Sequence, residues 1–386
     1  MADYLPFHVP DIDDEDIEAV VGVLRSGWLT TGSKARQFEQ EFAAKVGARY
    51  AVALNSCTAA LHLALEAVGL REGDEVLVPT MTFAATAEVV TYFKAKPVLV
   101  DCLPTTLNMD PDLIERAITP KTKALIPVHF AGQPCDMACI LDIARRHDLR
   151  VVEDAAHAFP ASYKGKMVGS ISDYTCFSFY ATKNITTGEG GMVTTDDPEW
   201  ADRMRRMSLH GLSRDAWKRY TNQGSWYYEI IAPGFKYNLT DMAAALGLSQ
   251  LQKADRFWKT RERYATLYAD AFRNLPEISP LSTQDNVQHA WHLYVIQLNL
   301  ERLRIGRQEF IERLQQKHIG CSVHFIPLHL HPYYRSTWGY SSANFPVATH
   351  AFERMVSLPL YSRMSEGEVS RTIDAVRELI LEFSQS

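Results

Sequence analysis

Between residues 50 and 195, short apolar runs alternate with stretches of helical periodicity, and this alternation constrains the fold more than any other feature. The runs are YAVAL (50–54), DEVLVP (74–79), PVLVDC (97–102), KALIPVHF (123–130), RVVEDAA (150–156), YTCFSF (174–179) and GMVTT (191–195). Helical patterns such as TAALHLALEAVG (58–69) and DMACILDIARRHD (136–148) lie between them. Strands joined through helices pair in parallel, and a parallel sheet is covered on both faces. The chain is therefore predicted to be α/β with a mostly parallel sheet.

Flanking segments complete the plan. DDEDIEAVVGVLR (13–25) carries Ile17, Val20, Val21 and Leu24 at the spacing of an amphipathic helix, with acids in its first turn. A long helical region covers 239–272, and the remainder mixes strands and helices. We expect a large domain over 1–250 and a smaller α+β domain over 251–386, with roughly the first 25 residues packing on the small one. A length of 386 residues suits that division.

Composition removes several functions. The formal net charge is −6 with no basic arm or stripe, which argues against nucleic acid or an anionic membrane as partner. No apolar run reaches the length of a membrane span, and the first residues lack a signal-peptide pattern, so a cytoplasmic protein is expected. The six cysteines are scattered without a CxxC pair, as in a reduced protein without a zinc site. The sequons at Asn184 and Asn238 then need another explanation than glycosylation.

In an open parallel sheet the ligand sits at the carboxyl ends of the strands. Three runs place polar residues there. NSCT (55–58) can cap a helix or hold a phosphate on free N–H groups, and the two uses look alike in sequence. Asp154 ends a buried strand, with His157 three residues on. A carboxylate in that position needs a cation or strong donors. In FSFYATKNITTGEGGM (177–192), Ser178 and Lys183 follow an apolar strand into a glycine-rich loop. A lysine held in a cleft there can lose its proton and attack a carbonyl, whereas one at a loop edge does nothing. One ligand uses all of these groups together: pyridoxal 5′-phosphate (PLP), which needs an anion site, an amine and an acid beside its ring nitrogen. No G-x-x-x-x-G-K-[ST], G-x-G-x-x-G or G-x-S-x-G motif competes with this reading.

Six segments, SGWLTTG (26–32), NSCTAALHLAL (55–65), GDEVLVPTMTFAATAEVV (73–90), VVEDAAHA (151–158), FSFYATKNITTGEGGM (177–192) and GFKYNLTD (234–241), together resemble the DegT-type sugar-nucleotide aminotransferases. The order is preserved over almost the whole chain. The resemblance implies a fold-type-I PLP-dependent transferase, with a mostly parallel seven-stranded sheet and a smaller C-terminal domain. It implies that Lys183 holds PLP and that Asp154 pairs with the pyridine nitrogen. His157 would meet the ring hydroxyl, and Phe83 would stack on the ring. Thr58, the Ala59 N–H and Ser178 would bind the phosphate, and Asn238 would reach it from a neighbouring subunit of a homodimer with shared sites. His324 and His329 in VHFIPLHLHPYY (323–334) would line the sugar site, and Lys218 and Arg219 would meet a diphosphate. With no acid or cysteine beside those histidines, no metal is expected.

The activity so implied moves an amino group from L-glutamate to a keto carbon of a nucleoside-diphosphate deoxysugar. That carbon is number 4 by the ITT after Lys183, as in the group making UDP-4-amino-4-deoxy-L-arabinose. The two alternatives are a PLP- or PMP-dependent sugar dehydratase and a non-catalytic PLP-binding regulator. A histidine replaces the lysine in the first, which disfavours it here. The absence of a DNA-binding extension disfavours the second.

Overall fold

A computed structural model describes residues 4–213 and 227–385. The strands of the large sheet are β1 (Tyr50–Leu54), β2 (Glu75–Pro79), β3 (Lys96–Val100), β4 (Thr122–Leu125) and β5 (Arg150–Asp154). After a short hairpin of β6 (Ser162–Tyr163) and β7 (Lys166–Met167) come β8 (Tyr174–Ser178) and β9 (Gly191–Thr195). Their order is β1-β9-β8-β5-β4-β2-β3, and only β9 runs against the others. The seven predicted strands are all present. β4 ends at Leu125 rather than at residue 130, two residues before Pro127, which has no N–H to continue the ladder.

The covering helices are α1 (Asp14–Ser26), α2 (Ser33–Val46), α3 (Cys57–Val68), α4 (Ala84–Thr91), α5 (Pro111–Ala117), α6 (Met137–Arg146), α7 (Pro198–Met207) and α8 (Asp241–Phe272). α1 does not bury the face its spacing suggests. Ile17 and Leu24 are 52% and 51% exposed, while Asp16 and Val23 face inward. Asp16 wins because its carboxylate meets buried partners on α8: the Lys253 amine at 2.8 Å and the Gln250 amide at 2.9 Å. A buried charge with such partners outweighs the loss of two partly packed aliphatic side chains.

The C-terminal part adds β10 (Ile278–Pro280), β11 (Val287–Gln288), β12 (Tyr294–Leu298), β13 (Met355–Leu358), α9 (Arg307–Gln316), α10 (Pro332–Trp338), α11 (Pro346–Arg354) and α12 (Glu366–Phe383). β10, β12 and β13 form an antiparallel sheet. Residue 250 lies inside α8, which is continuous for 32 residues. Along it, Leu248, Leu251, Ala254 and Phe257 pack in the large-domain core, whereas Tyr264, Ala265, Tyr268 and Phe272 pack in the second core. The changeover thus lies between Phe257 and Tyr264. Arg261 sits at it, 1% exposed, donating to the carbonyls of Leu360 at 2.7 Å and Trp291 at 3.2 Å. Leu5 joins the second core and pairs with Ile319, whereas Asp16 in α1 is held by Gln250 and Lys253 on the large-domain part of α8.

β9 passes so close to the start of α3 that Gly191 has no room for a side chain. A Cβ there would stand 2.3 Å from the backbone carbonyl of Ser56. Gly191→Ala should therefore destabilise the protein by roughly 1–3 kcal/mol, since a backbone and not a flexible side chain must move. Urea unfolding measures this, and an unchanged midpoint would contradict it.

Candidate active site

The carboxyl ends of β1, β5 and β8 meet in one cavity of about 450 Å³. β1 delivers Ser56, which caps α3: its Oγ accepts the Ala59 N–H at 3.1 Å. The N–H groups of Cys57 and Thr58, in the first helical turn, have no acceptor within the helix. Thr58 lines the cavity, as its expected role requires. Ala59 is buried behind it, and its N–H is already engaged by Ser56. The structure thus brings Thr58 to the site and gives the Ala59 N–H to the helix cap.

β5 ends at Asp154. Its Oδ2 accepts from the Thr86 hydroxyl at 2.7 Å and its Oδ1 from the Ala156 N–H at 3.1 Å. Burial pushes its pKa up, while those donors and the nearby Lys183 pull the other way. Thr86 in turn lies 2.7 Å from the hydroxyl of Thr82, a cavity residue four positions earlier. The sequence reading missed this pair, although hydroxyls at i and i+4 opening a helix after a strand were a readable signal.

β8 ends at Ser178 and leads into the loop that presents Lys183 to the cavity. The Lys183 N–H bonds the Tyr180 carbonyl at 2.9 Å, which folds the loop back on itself. Desolvation lowers the Lys183 amine to about 8, with Cys57 and Asp154 opposing the shift. At neutral pH roughly a tenth of such an amine is unprotonated, far more than of an ordinary lysine, and that fraction can act as a nucleophile or base.

His157 stacks on Phe325 at 5.7 Å and lies 4.3 Å from His292. Burial, then the charge of Lys183, holds its pKa well below the ordinary histidine value, so the ring is neutral. Its Nδ1 is buried without a hydrogen-bond partner. Phe83 is 62% exposed beside the same cavity, 5.9 Å from Phe325. His324 also lines it, with Nδ1 3.0 Å from the Ser357 hydroxyl, and burial lowers its pKa to about 4. Cys57, His292 and Phe325 are further lining residues that sequence reasoning did not select.

One expectation changes. His329 does not reach the cavity. It is fully buried, with Nδ1 2.7 Å from the Thr80 hydroxyl, Nε2 2.9 Å from the Thr349 hydroxyl and its ring stacked on Phe345. With both ring nitrogens occupied, it is a packing residue and not a substrate contact. Asn238 belongs to a separate cavity, with Thr31 and Arg205, where its amide donates to the Thr31 hydroxyl at 2.7 Å. Lys218 and Arg219 lie outside the described residues. Asn184, the other sequon, donates to the Ala290 carbonyl at 2.7 Å and meets His292 at 3.2 Å, which gives it a structural reason.

The cavity fits PLP. A buried imidazole nitrogen lacks a partner, a carboxylate is held by two donors, an aromatic face lies open, and a helix start offers free N–H groups. When bound, PLP supplies the electron sink for carbanion chemistry. The residues that would serve it are Asp154, whose carboxylate would keep the ring nitrogen protonated, and Lys183, whose amine would take up and return a proton.

Residues 10–377 match the DegT/DnrJ/EryC1/StrS aminotransferase family. The chain belongs to this family. The spore coat polysaccharide biosynthesis protein SpsC of Bacillus subtilis is 52% identical over 378 residues, 98% of this chain and 97% of SpsC. Spr1654 of Streptococcus pneumoniae, named for a sugar aminotransferase activity and solved in PMP, PLP and apo forms, superposes with TM-scores of 0.92, 0.92 and 0.91. It shares 36% identity over 98% of both chains. PseC of Helicobacter pylori, an aminotransferase in pseudoaminic acid biosynthesis, superposes with a TM-score of 0.92 at 27% identity, covering 98% of this chain and 100% of PseC. As a member of the family, the chain is a PLP-dependent sugar aminotransferase with the fold-type-I architecture. Among the described residues no helix is long and apolar enough to cross a membrane.

Burying Lys183 costs stability when no ligand offsets its desolvation. Its pKa falls from 10.5 in the open chain to about 8 in the fold. The folded protein thus disfavours the charged amine. The cost is absent above the higher value and fully present below the lower one. Lys183→Met should stabilise the cofactor-free protein at pH 7 by up to about 3 kcal/mol, with the gain vanishing as the pH rises through that window. Denaturant titrations of both cofactor-free proteins at several pH values test this. A gain that does not depend on pH would show that packing and not charge is responsible.

Proposed function

We propose that this enzyme transfers the amino group of L-glutamate to carbon 4 of a nucleoside-diphosphate keto-deoxysugar, supplying an amino sugar to a surface polysaccharide such as lipopolysaccharide or to another glycoconjugate. The observation that carries the reading is the convergence of Lys183, Asp154 and His157 in one cavity beneath Phe83 and Phe325. The sugar is supported by the family and by the names of SpsC and PseC. Carbon 4 is supported by the ITTGEGG loop after Lys183, whose Glu189 and Gly190 line the cavity. A loop there decides which carbon is presented, and a misplacement of about 1 Å can cost a hundredfold in rate.

Both half-reactions use the same cavity. Lys183 serves as base toward the donor and as acid toward the sugar product, giving ping-pong kinetics. His324 is the remaining candidate for a sugar contact. We place the enzyme in the cytoplasm, where nucleotide sugars and glutamate are at hand. A panel of 3-keto and 4-keto nucleotide sugars with glutamate, read by mass spectrometry, tests the assignment. Amination of a 4-keto sugar is expected to be fastest. Faster turnover of a 3-keto sugar than of every 4-keto sugar would move the carbon, and no amination at all would sink the reading.

We further propose that the working unit is a homodimer in which Asn238 completes the partner's phosphate site. Its support is that Asn238 lies in a different cavity from Lys183 of its own chain. Mixing Asn238→Ala with Lys183→Ala subunits should restore activity, because one hybrid site carries both lesions and the other neither. Hybrids that form without any recovery would count against sharing.

A further inference from the structure

The loop that carries Lys183 is gripped at both shoulders by groups that trace back to the first sixteen residues. On one side, the His8 ring lies against the backbone of Ala181, two residues before the lysine. On the other, the Thr186 N–H donates to Gln250 Oε1 at 3.4 Å. The same Gln250 amide donates through Nε2 to the Asp11 carbonyl and to Asp16 Oδ2, both at 2.9 Å. Gln250 is 1% exposed, so these bonds have no water to replace them. Thr186 is the hub of the loop. Its hydroxyl donates to the Phe179 carbonyl at 3.0 Å and accepts the Gly188 N–H at 2.9 Å. A displacement at Thr186 therefore reaches Lys183 through a closed turn.

The N-terminal segment is itself anchored at points far apart. Leu5 is built into the second core. Phe7 stacks on His324 at 5.3 Å. Asp16 is fixed by Lys253 at 2.8 Å.

We propose that His8 and Gln250 are positioning residues for Lys183, and that the N-terminal segment acts through them as a strap across the lysine loop. The inference rests on the reading of Lys183 as the amine that holds PLP. His8 suits the part: its Nε2 is buried without a partner, and burial, Arg261 and Lys183 lower its pKa to about 3, so it packs as a neutral ring. Other titratable groups close enough to act on Lys183 are Asp154, Cys57, His157, His292 and His324. The strap is a geometric device added to that electrostatic environment.

The test uses Gln250→Met, which keeps the side chain's length and removes its three bonds, and His8→Phe, which keeps a ring. Val376→Ala, in the second core, supplies a plain loss of packing for comparison. Full-length proteins freed of cofactor are mixed with PLP over a pH series and reduced with borohydride. Label at Lys183 is then counted by mass spectrometry, with Tm and steady-state rates measured alongside.

In both strap variants the midpoint of labelling should rise by about one pH unit as the amine regains water. The rate constant kcat should fall about tenfold, with KM changed by less than about threefold. Val376→Ala should lose Tm with neither change. Labelling midpoints equal to wild type in His8→Phe and Gln250→Met overturn the proposal, whatever happens to Tm. If Gln250→Met does not fold, His8→Phe decides alone. Wild-type protein that takes no label at Lys183 overturns the reading beneath the proposal, and the proposal with it, which a labelled wild type with unshifted variants does not.

Discussion

A lysine amine and a carboxylate share one desolvated cavity, and much of the fold is arranged so that both can remain there. Taking either charge from water is unfavourable by itself, and each partly offsets the other through space. Asp154 receives two further donors, one from α4 and one from its own backbone turn. None of the described hydrogen bonds gives the Lys183 amine an acceptor, Cys57 and Asp154 favour its charge only through space, and desolvation lowers its pKa to about 8. The imbalance has a chemical consequence. The donors offset part of the burial that raises the carboxylate's pKa and so favour the ionised form that a pyridinium requires, while the amine shifts toward the neutral form that a nucleophile or base requires.

The imidazoles around the cavity follow from the same constraint. His8, His157, His292 and His324 all have their pKa values lowered, with burial as the leading cause and Lys183 adding to it. Four further cations around the lysine would defeat the arrangement. Neutral rings pack on one another and on Phe325 instead, and they keep nitrogen atoms available for polar groups of a ligand.

How much of this was legible in the sequence depended on the range of the interaction. Each strand of the large sheet could be read locally, because burial on both faces demands a continuous apolar run. Lys183, Asp154 and Thr58 were legible because a parallel sheet collects its strand ends on one side. The misses were contacts between distant segments. Nothing near Asp16 says that Gln250 and Lys253, over 230 positions away, will turn α1 so that an aspartate faces inward. Nothing near His329 says that Thr80 will take one ring nitrogen from 249 residues away. The Ala59 N–H was misjudged for a nearer reason: Ser56 is an N-cap, and a cap and a phosphate compete for the same donors.

α8 shows why those distant contacts are not incidental. A single helix passes from one core to the other, and at its changeover it carries Arg261, a buried guanidinium whose described hydrogen bonds go to backbone carbonyls. Carbonyl dipoles balance a guanidinium less well than a carboxylate does, and desolvation accordingly lowers its pKa to about 9. Such a group tolerates little displacement of the chain around it, because each carbonyl lost leaves charge uncompensated. Three turns earlier the same helix holds Gln250 against the lysine loop. The helix therefore ties the join between the two cores and the placement of the Lys183 amine to one rigid element. On the function proposed above, one cavity accepts first an amino acid and then a sugar, and that rigidity would keep Lys183 in register while the ligands change.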